Sequence, residues 1–170
     1  MAQEIRILLV DDHSLFRDSL SRLLQTEPGF RMVGSCGSVA EALPVITSEQ
    51  PGERPDIILL DYDLGEEQGT FALDEIRKHG FKGRVLMVTA GMSDAATVHV
   101  LETGSEGIFL KHSSPAQLVE AIRRMVAASN TSALKRMDVE SDPVVSMTNM
   151  TRSRVAARRS SGISSIASPS

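Results

Sequence analysis

Five short apolar or β-rich runs alternate with longer stretches of helical spacing, and four of the runs end in a group that handles phosphate or metal. Ile5–Val10 runs into Asp11 and Asp12, and Ile57–Leu60 into Asp61. Val85–Val88 runs into Thr89, and Ile108–Leu110 into Lys111. With Phe30–Ser35 these make five strand candidates, taken as Ile5–Val10, Phe30–Ser35, Ile57–Leu60, Arg84–Val88 and Gly107–Leu110. Several are almost continuously apolar, as strands buried on both faces must be. Strand and helix in strict alternation predict an α/β fold, a doubly wound five-stranded parallel sheet with right-handed crossovers. Ligand sites in such sheets lie outside the carboxyl ends of the strands. The chemistry-bearing residues should therefore gather at one sheet edge.

The intervening segments carry start and stop signals. In the first, Leu15, Phe16, Leu20, Leu23 and Leu24 form one apolar stripe, which Pro28-Gly29 ends. The second opens at Ser38 with Glu41 behind it, the pattern of a capping box, and Pro44 should kink or shorten it. The third spans Thr70–His79 before Gly80, and the fourth spans Ser93–Thr103 before Gly104. The fifth opens with Ser114, Pro115 and Gln117, and its stripe is Leu118, Ala121, Ile122, Met125 and Val126.

Charge divides the chain. The net charge is −4, but residues 1–127 balance at −7 and residues 128–170 at +3. An acidic body is not a nucleic-acid surface. After Ala128 the chain turns rich in Ser and Thr, with Arg152, Arg154, Arg158 and Arg159 close together. This composition reads as a disordered tail over 129–170, separate from a folded domain over 1–128. The single cysteine, Cys36, allows no internal disulfide and reads as a small core or loop residue. No signal peptide and no membrane-length apolar run is present, so a cytoplasmic protein with no membrane partner is expected.

Asp11, Asp12 and Asp61 crowded at one edge would repel one another unless a cation neutralised them. Mg²⁺, a hard oxygen-seeking ion that keeps waters and accepts phosphate oxygens, suits such a set. His13 beside Asp12 reads as a capping or surface residue. Lys111 offers a mobile positive charge for a phosphate, and Thr89 a hydroxyl, with the Ala90 and Gly91 N–H groups close by. Together these groups describe a place where a carboxylate attacks a phosphoryl group.

The segments ILLVDDHSLFRDSLSRLL, PDIILLDYDLGEEQG, VLMVTAG and GSEGIFLKHSSPAQLVEAIRRM, in this order and spacing, resemble the receiver domain of two-component response regulators, most of all the NarL/FixJ-type subfamily. The resemblance covers roughly residues 4–127. It implies a flavodoxin-like sheet of strand order 2-1-3-4-5, with Asp61 as phosphoacceptor. Asp12 would bind Mg²⁺ directly, Asp11 through a water, and the Asp63 backbone carbonyl would be a further ligand. Thr89 and Lys111 would read the phosphorylated state, and Pro115 matches the family's Lys-x-x-x-Pro ending. The implied partner is a sensor histidine kinase, with a possible homodimer through the face made by the fourth helix, fifth strand and fifth helix.

Two departures stand out. Leu64-Gly65 replaces the family's usual Met-Pro, and Gly65 should loosen that turn; Gly69 keeps its expected place. Ile108 occupies the usual switch-aromatic position, with Phe109 next to it. NarL/FixJ-type proteins usually continue into a helix-turn-helix output domain. Here Met147 to Val155 and Gly162 to Ala167 only faintly echo its start, with no segment for a groove-entering helix. DNA binding is therefore not expected. The expected function is a phosphorylation-dependent signalling switch rather than a true enzyme. Two alternatives are a truncated DNA-binding regulator acting through the basic tail, and a phosphatase of haloacid-dehalogenase type, whose Asp-x-Asp motif Asp61-Tyr62-Asp63 resembles.

Overall fold

The structure, a computed structural model, describes residues 4–65 and 67–128. Among the described residues seven strands and five helices follow in chain order: β1 (Ile5–Val10), α1 (Ser14–Thr26), β2 (Phe30–Cys36), α2 (Val39–Thr47), β3 (Ile57–Asp61), β4 (Asp63–Leu64), β5 (Glu67–Gln68), α3 (Gly69–Lys78), β6 (Arg84–Thr89), α4 (Asp94–Glu102), β7 (Gly107–Leu110) and α5 (Pro115–Ala127). Five strands form one parallel sheet in the order β2-β1-β3-β6-β7. With β4 and β5 set aside, this is the expected 2-1-3-4-5 order. The 129–170 segment, with its arginines and its expected disorder, lies outside the described residues.

The two-residue period of a strand sends alternate side chains to opposite faces. Leu8, Val10, Ile58, Leu60, Val85, Met87 and Ile108 meet α2, α3 and α4 on one face. Ile7, Leu9, Ile57, Leu59, Leu86, Val88 and Phe109 meet α1 and α5 on the other. Both layers are dry, which is why the strand runs are apolar without alternation. Each fully buried Leu or Ile contributes about 1.5–3 kcal/mol.

Three readings need correction. Leu15 does not belong to the buried stripe of α1: it is 73% exposed, whereas Leu20 and Leu24 are buried and Phe16 and Leu23 pack at the edge. Leu15 lies in the first turn, where the chain has left the sheet edge and the α1 stripe has not yet turned onto the core. The Ser38 hydroxyl accepts from the Glu41 N–H as a cap should, but the Glu41 carboxylate reaches Gly37 N–H at 2.8 Å rather than closing back on Ser38. By contrast the Ser114–Gln117 box is complete. Pro44 sits inside the nine-residue α2, exposed on its outer side.

The third correction concerns Gly65. It does not loosen the turn after Asp61. Asp63-Leu64 pairs antiparallel with Glu67-Gln68 in a small ribbon that the sequence reading did not foresee. Gly65 stands in its two-residue loop at φ +57°, a left-handed conformation that hairpin turns of this length require and glycine adopts freely. The ribbon then closes on Gly69, whose N–H donates to the Tyr62 carbonyl at 2.7 Å. A Cβ at Gly69 would stand 2.7 Å from Tyr62 Cα and 2.9 Å from the Asp61 carbonyl oxygen. Backbone cannot yield as a side chain would, so Gly69→Ala is expected to cost about 1–3 kcal/mol, measured as a lowered denaturation midpoint.

At the amino ends of the strands, Asp56 ties β1 to β3. Its carboxylate accepts from Arg6 N–H (2.8 Å), Nε (3.0 Å) and Nη2 (2.6 Å). Burial would raise the Asp56 carboxyl, but the hydrogen bonds and charge of Arg6 outweigh it and hold it below the ordinary carboxylate range. A carboxyl depressed in the fold contributes stability above its unfolded pKa and loses it as pH falls through the folded one. Asp56→Asn should therefore be about 1–3 kcal/mol less stable than the parent at neutral pH. The two should converge only in acid denaturation series carried below the depressed folded value, which lies under the unfolded carboxylate value of about 3.9.

Candidate functional site

The site is assembled by register. Val10 stands beside Leu60, Asp61 beside Val88, and Thr89 beside Leu110. Backbone bonds carry the alignment one residue past the strands: Asp11 N–H to Cys36 O (3.0 Å), Tyr62 N–H to Val88 O (2.8 Å) and Lys111 N–H to Thr89 O (2.7 Å). Asp11, Asp61, Thr89 and Lys111 thus share one edge, as the sequence predicts.

Asp11 and Asp61 are 1% and 2% exposed, and Asp12 is exposed at the rim. One carboxylate oxygen from each of the three lies within 4.8 Å of the others. Lys111 Nζ sits between the buried pair, 2.8 Å from Asp11 Oδ2 and 2.9 Å from Asp61 Oδ2. The contact with Asp61 is a hydrogen bond. The contact with Asp11 is an ion pair without hydrogen-bond geometry, so buried Asp11 Oδ2 has no hydrogen-bond partner. Asp11 Oδ1 accepts from His13 N–H at 2.8 Å, and Asp61 Oδ1 from Asp63 N–H at 3.3 Å. A buried oxygen held only by its ion pair with Lys111, beside two further carboxylates, belongs to a donor set that a hard divalent cation fits. His13 caps α1 through its backbone alone, its side chain exposed and making no cap bond.

Burial pushes the Asp61 carboxyl above the ordinary range, and the Asp11 charge adds to this; the Lys111 hydrogen bond and charge offset part of it. Burial would lower Lys111, but its two carboxylate partners hold it raised and charged. Thr89 is fully buried; its hydroxyl donates to Gly91 O at 3.0 Å and accepts from Gly91 N–H at 3.1 Å. The Gly91 N–H expected to be on offer is therefore engaged with Thr89. Ile108 is buried among the α2–α4 layer and Phe109 in the opposite one. Cys36 is buried at the end of β2, its thiol raised chiefly by burial.

Two contributors escaped the sequence reading. The Phe16 ring centroid lies 4.6 Å from Lys111 Nζ, a cation–π contact that favours the charged lysine. Arg17 Nη1 donates to the Asp11 carbonyl at 2.6 Å and pins the loop that carries both acids. Their signal was only membership of the first turns of α1, next to the acidic pair.

A folded state that confines two desolvated carboxylates resists the ionised form of Asp61, so stability falls as pH rises through the carboxyl's raised range. Asp61→Asn removes one charge and leaves Lys111 for Asp11. In metal-free buffer at neutral pH its melting temperature should rise by a few degrees in scanning calorimetry.

Residues 7–123 match the family model of the response regulator receiver domain. The nitrate/nitrite response regulator protein NarP of Escherichia coli (strain K12) is 30% identical over 122 residues, which is 72% of this chain and 55% of that protein. The chain spans about half the length of the curated relatives it matches. Among solved structures, the signal receiver domain of the putative response regulator NarL from Mycobacterium tuberculosis superposes with a TM-score of 0.65 at 29% identity, covering 74% of this chain and 98% of that one. A two-component response regulator of the LuxR family from Aurantimonas sp. SI85-9A1 gives a TM-score of 0.67 at 27% identity, covering 93% and 99%.

Proposed function

The chain belongs to the response regulator receiver domain family, and from that premise we propose that it is a phosphorylation-dependent switch whose acceptor is Asp61. The observation that supports this most is the pairing of buried Asp61 with Lys111, beside Asp11 and Asp12, at the carboxyl edge of the sheet. The receiver unit is residues 1–128, with 129–170 a separate segment.

In this reading Asp11 and Asp12, with Asp61 and the Asp63 backbone carbonyl, hold Mg²⁺. The ion, when bound, neutralises charge on the transferring phosphoryl oxygens. An oxygen of Asp61 attacks the phosphorus of a phosphohistidine on a sensor kinase; the new O–P bond forms as the P–N bond breaks, leaving an acyl phosphate on Asp61. Lys111 gives up its bond to Asp61 and pairs with the phosphoryl group as a point charge. The Thr89 hydroxyl turns from the Gly91 carbonyl towards the same group. Exposed Leu15, one turn from Asp12, offers the donor an apolar contact at the rim. The phosphorylated state biases the face made by α4, β7 and α5 towards a second copy or another partner, as a population shift. Chemistry at Asp61 is confined to acquiring and losing this one group.

Among the described residues no helix is long and apolar enough to cross a membrane. The reading is tested by incubation with Mg²⁺ and a small phosphodonor, followed by intact-mass measurement. The expected result is one added phosphoryl group in the parent, none in Asp61→Asn, and a slowed gain in Lys111→Met. An adduct that persists in Asp61→Asn overturns the assignment.

A further inference from the structure

The strands that end at the acidic site begin at a second polar site of opposite sign. At the amino edge of the sheet a cavity of about 740 Å³ opens between the start of β1, the segment before β3, the α3–β6 loop and the last turn of α5. Arg6, Arg54, Lys82, Arg84 and Arg123 line it, together with His79. Among the described residues its only lining acids are Glu4 and Asp56, and Asp56 is taken up by the three bonds from Arg6. Residues 1–127 carry 12 Lys and Arg against 19 Asp and Glu, so gathering five of the cations here is a marked segregation of charge.

Part of this charge has a structural use. Arg123 donates to the Pro28 carbonyl at 2.8 Å and Arg54 to the Ser48 carbonyl at 2.6 Å. Cations also complement the carboxyl ends of helices, and α3 and α5 end here. Arg6 is bonded to Asp56 and Arg84 also has a partner, while Lys82 lies on the loop between α3 and β6. Lys82 is exposed at the rim. The rest of the wall is apolar: Ile46, Pro55, Phe81 and Val126. A cavity of this volume is in the range of small-molecule sites and is far larger than a bare phosphate ion needs.

We propose that this cavity binds a small organic phosphate, its anionic group held by Lys82 and Arg54 and its apolar body laid against Phe81, Pro55 and Val126. The five steps along the chain from Asp56 to Asp61, at the end of β3, rise roughly 16 Å at ~3.3 Å each and set the two sites apart.

The test is a titration of the full chain with ADP at low salt in the presence of EDTA, followed by amide chemical shifts. The expected result is a saturable set of changes over residues 4–6, 54–56, 79–84 and 123–127. Adenosine and inorganic pyrophosphate should each bind more weakly than ADP, since each supplies half of the complement. Lys82→Glu, an exposed change that spares the core, should weaken ADP by about tenfold, the loss of one charge-assisted contact. Arg54→Gln serves as a second variant with the same expected direction. Shifts confined to the Asp11–Asp61 edge, shifts that never saturate, equal binding of adenosine, or indifference to both variants overturn the proposal.

Discussion

Lys111 bridges two carboxylates that water barely reaches, and the working edge of this protein depends on that bridge. Asp11 and Asp61 are forced together by strand register rather than by any attraction of their own. Two like charges out of water are unfavourable unless something positive stands between them. Lys111 does so, steadied by the ring of Phe16 beneath its ammonium group. The bridge leaves one oxygen of Asp11 without a hydrogen-bond partner. The single ammonium group offsets only part of the charge of the two carboxylates, and Asp12 adds a third at the rim.

The scaffold makes such crowding tolerable. Both faces of the sheet are covered, so the edge groups cannot relax by tilting a strand into water. The backbone bonds from Asp11 to Cys36, Tyr62 to Val88 and Lys111 to Thr89 extend the ladder past the last apolar residues. The ribbon after Asp61 folds the chain back so that the Asp63 N–H meets the Asp61 carboxylate. Gly65 permits its turn and Gly69 permits its closure against Tyr62. At the other edge the Arg6–Asp56 bonds lock β1 to β3. The same strands thus present acids at one end and cations at the other.

Much of this was legible in the chain. The strands announced themselves because two-sided burial demands continuous apolar runs, and the helix starts at Ser93 and Ser114 because short polar side chains cap exposed N–H groups. Asp11, Asp12, Asp61, Thr89 and Lys111 were legible because each follows such a run, and parallel strands all end at the same edge. The misreadings arose where spacing is silent about direction. Leu15 fits a helical stripe by number, yet it lies in the turn before α1 settles onto the sheet. Glu41 has the spacing of a capping box, yet its carboxylate finds the neighbouring Gly37 N–H. Gly65 was read as loosening a turn because composition does not reveal the sign of φ.

The sequence by itself determined the alternation of strand and helix, the two-sided core and the identity of the groups at the carboxyl edge. All of these follow from local periodicity and from where apolar runs stop. Only the tertiary structure decided which groups touch. It placed Lys111 on both carboxylates, turned the Thr89 hydroxyl to Gly91, set Phe16 under the lysine and buried Ile108 where an aromatic residue was expected. It also brought cations from positions 6, 54, 82, 84 and 123 around one cavity. These are contacts between residues far apart in the chain, fixed by the order and register of the strands, and periodicity along a chain carries no record of them.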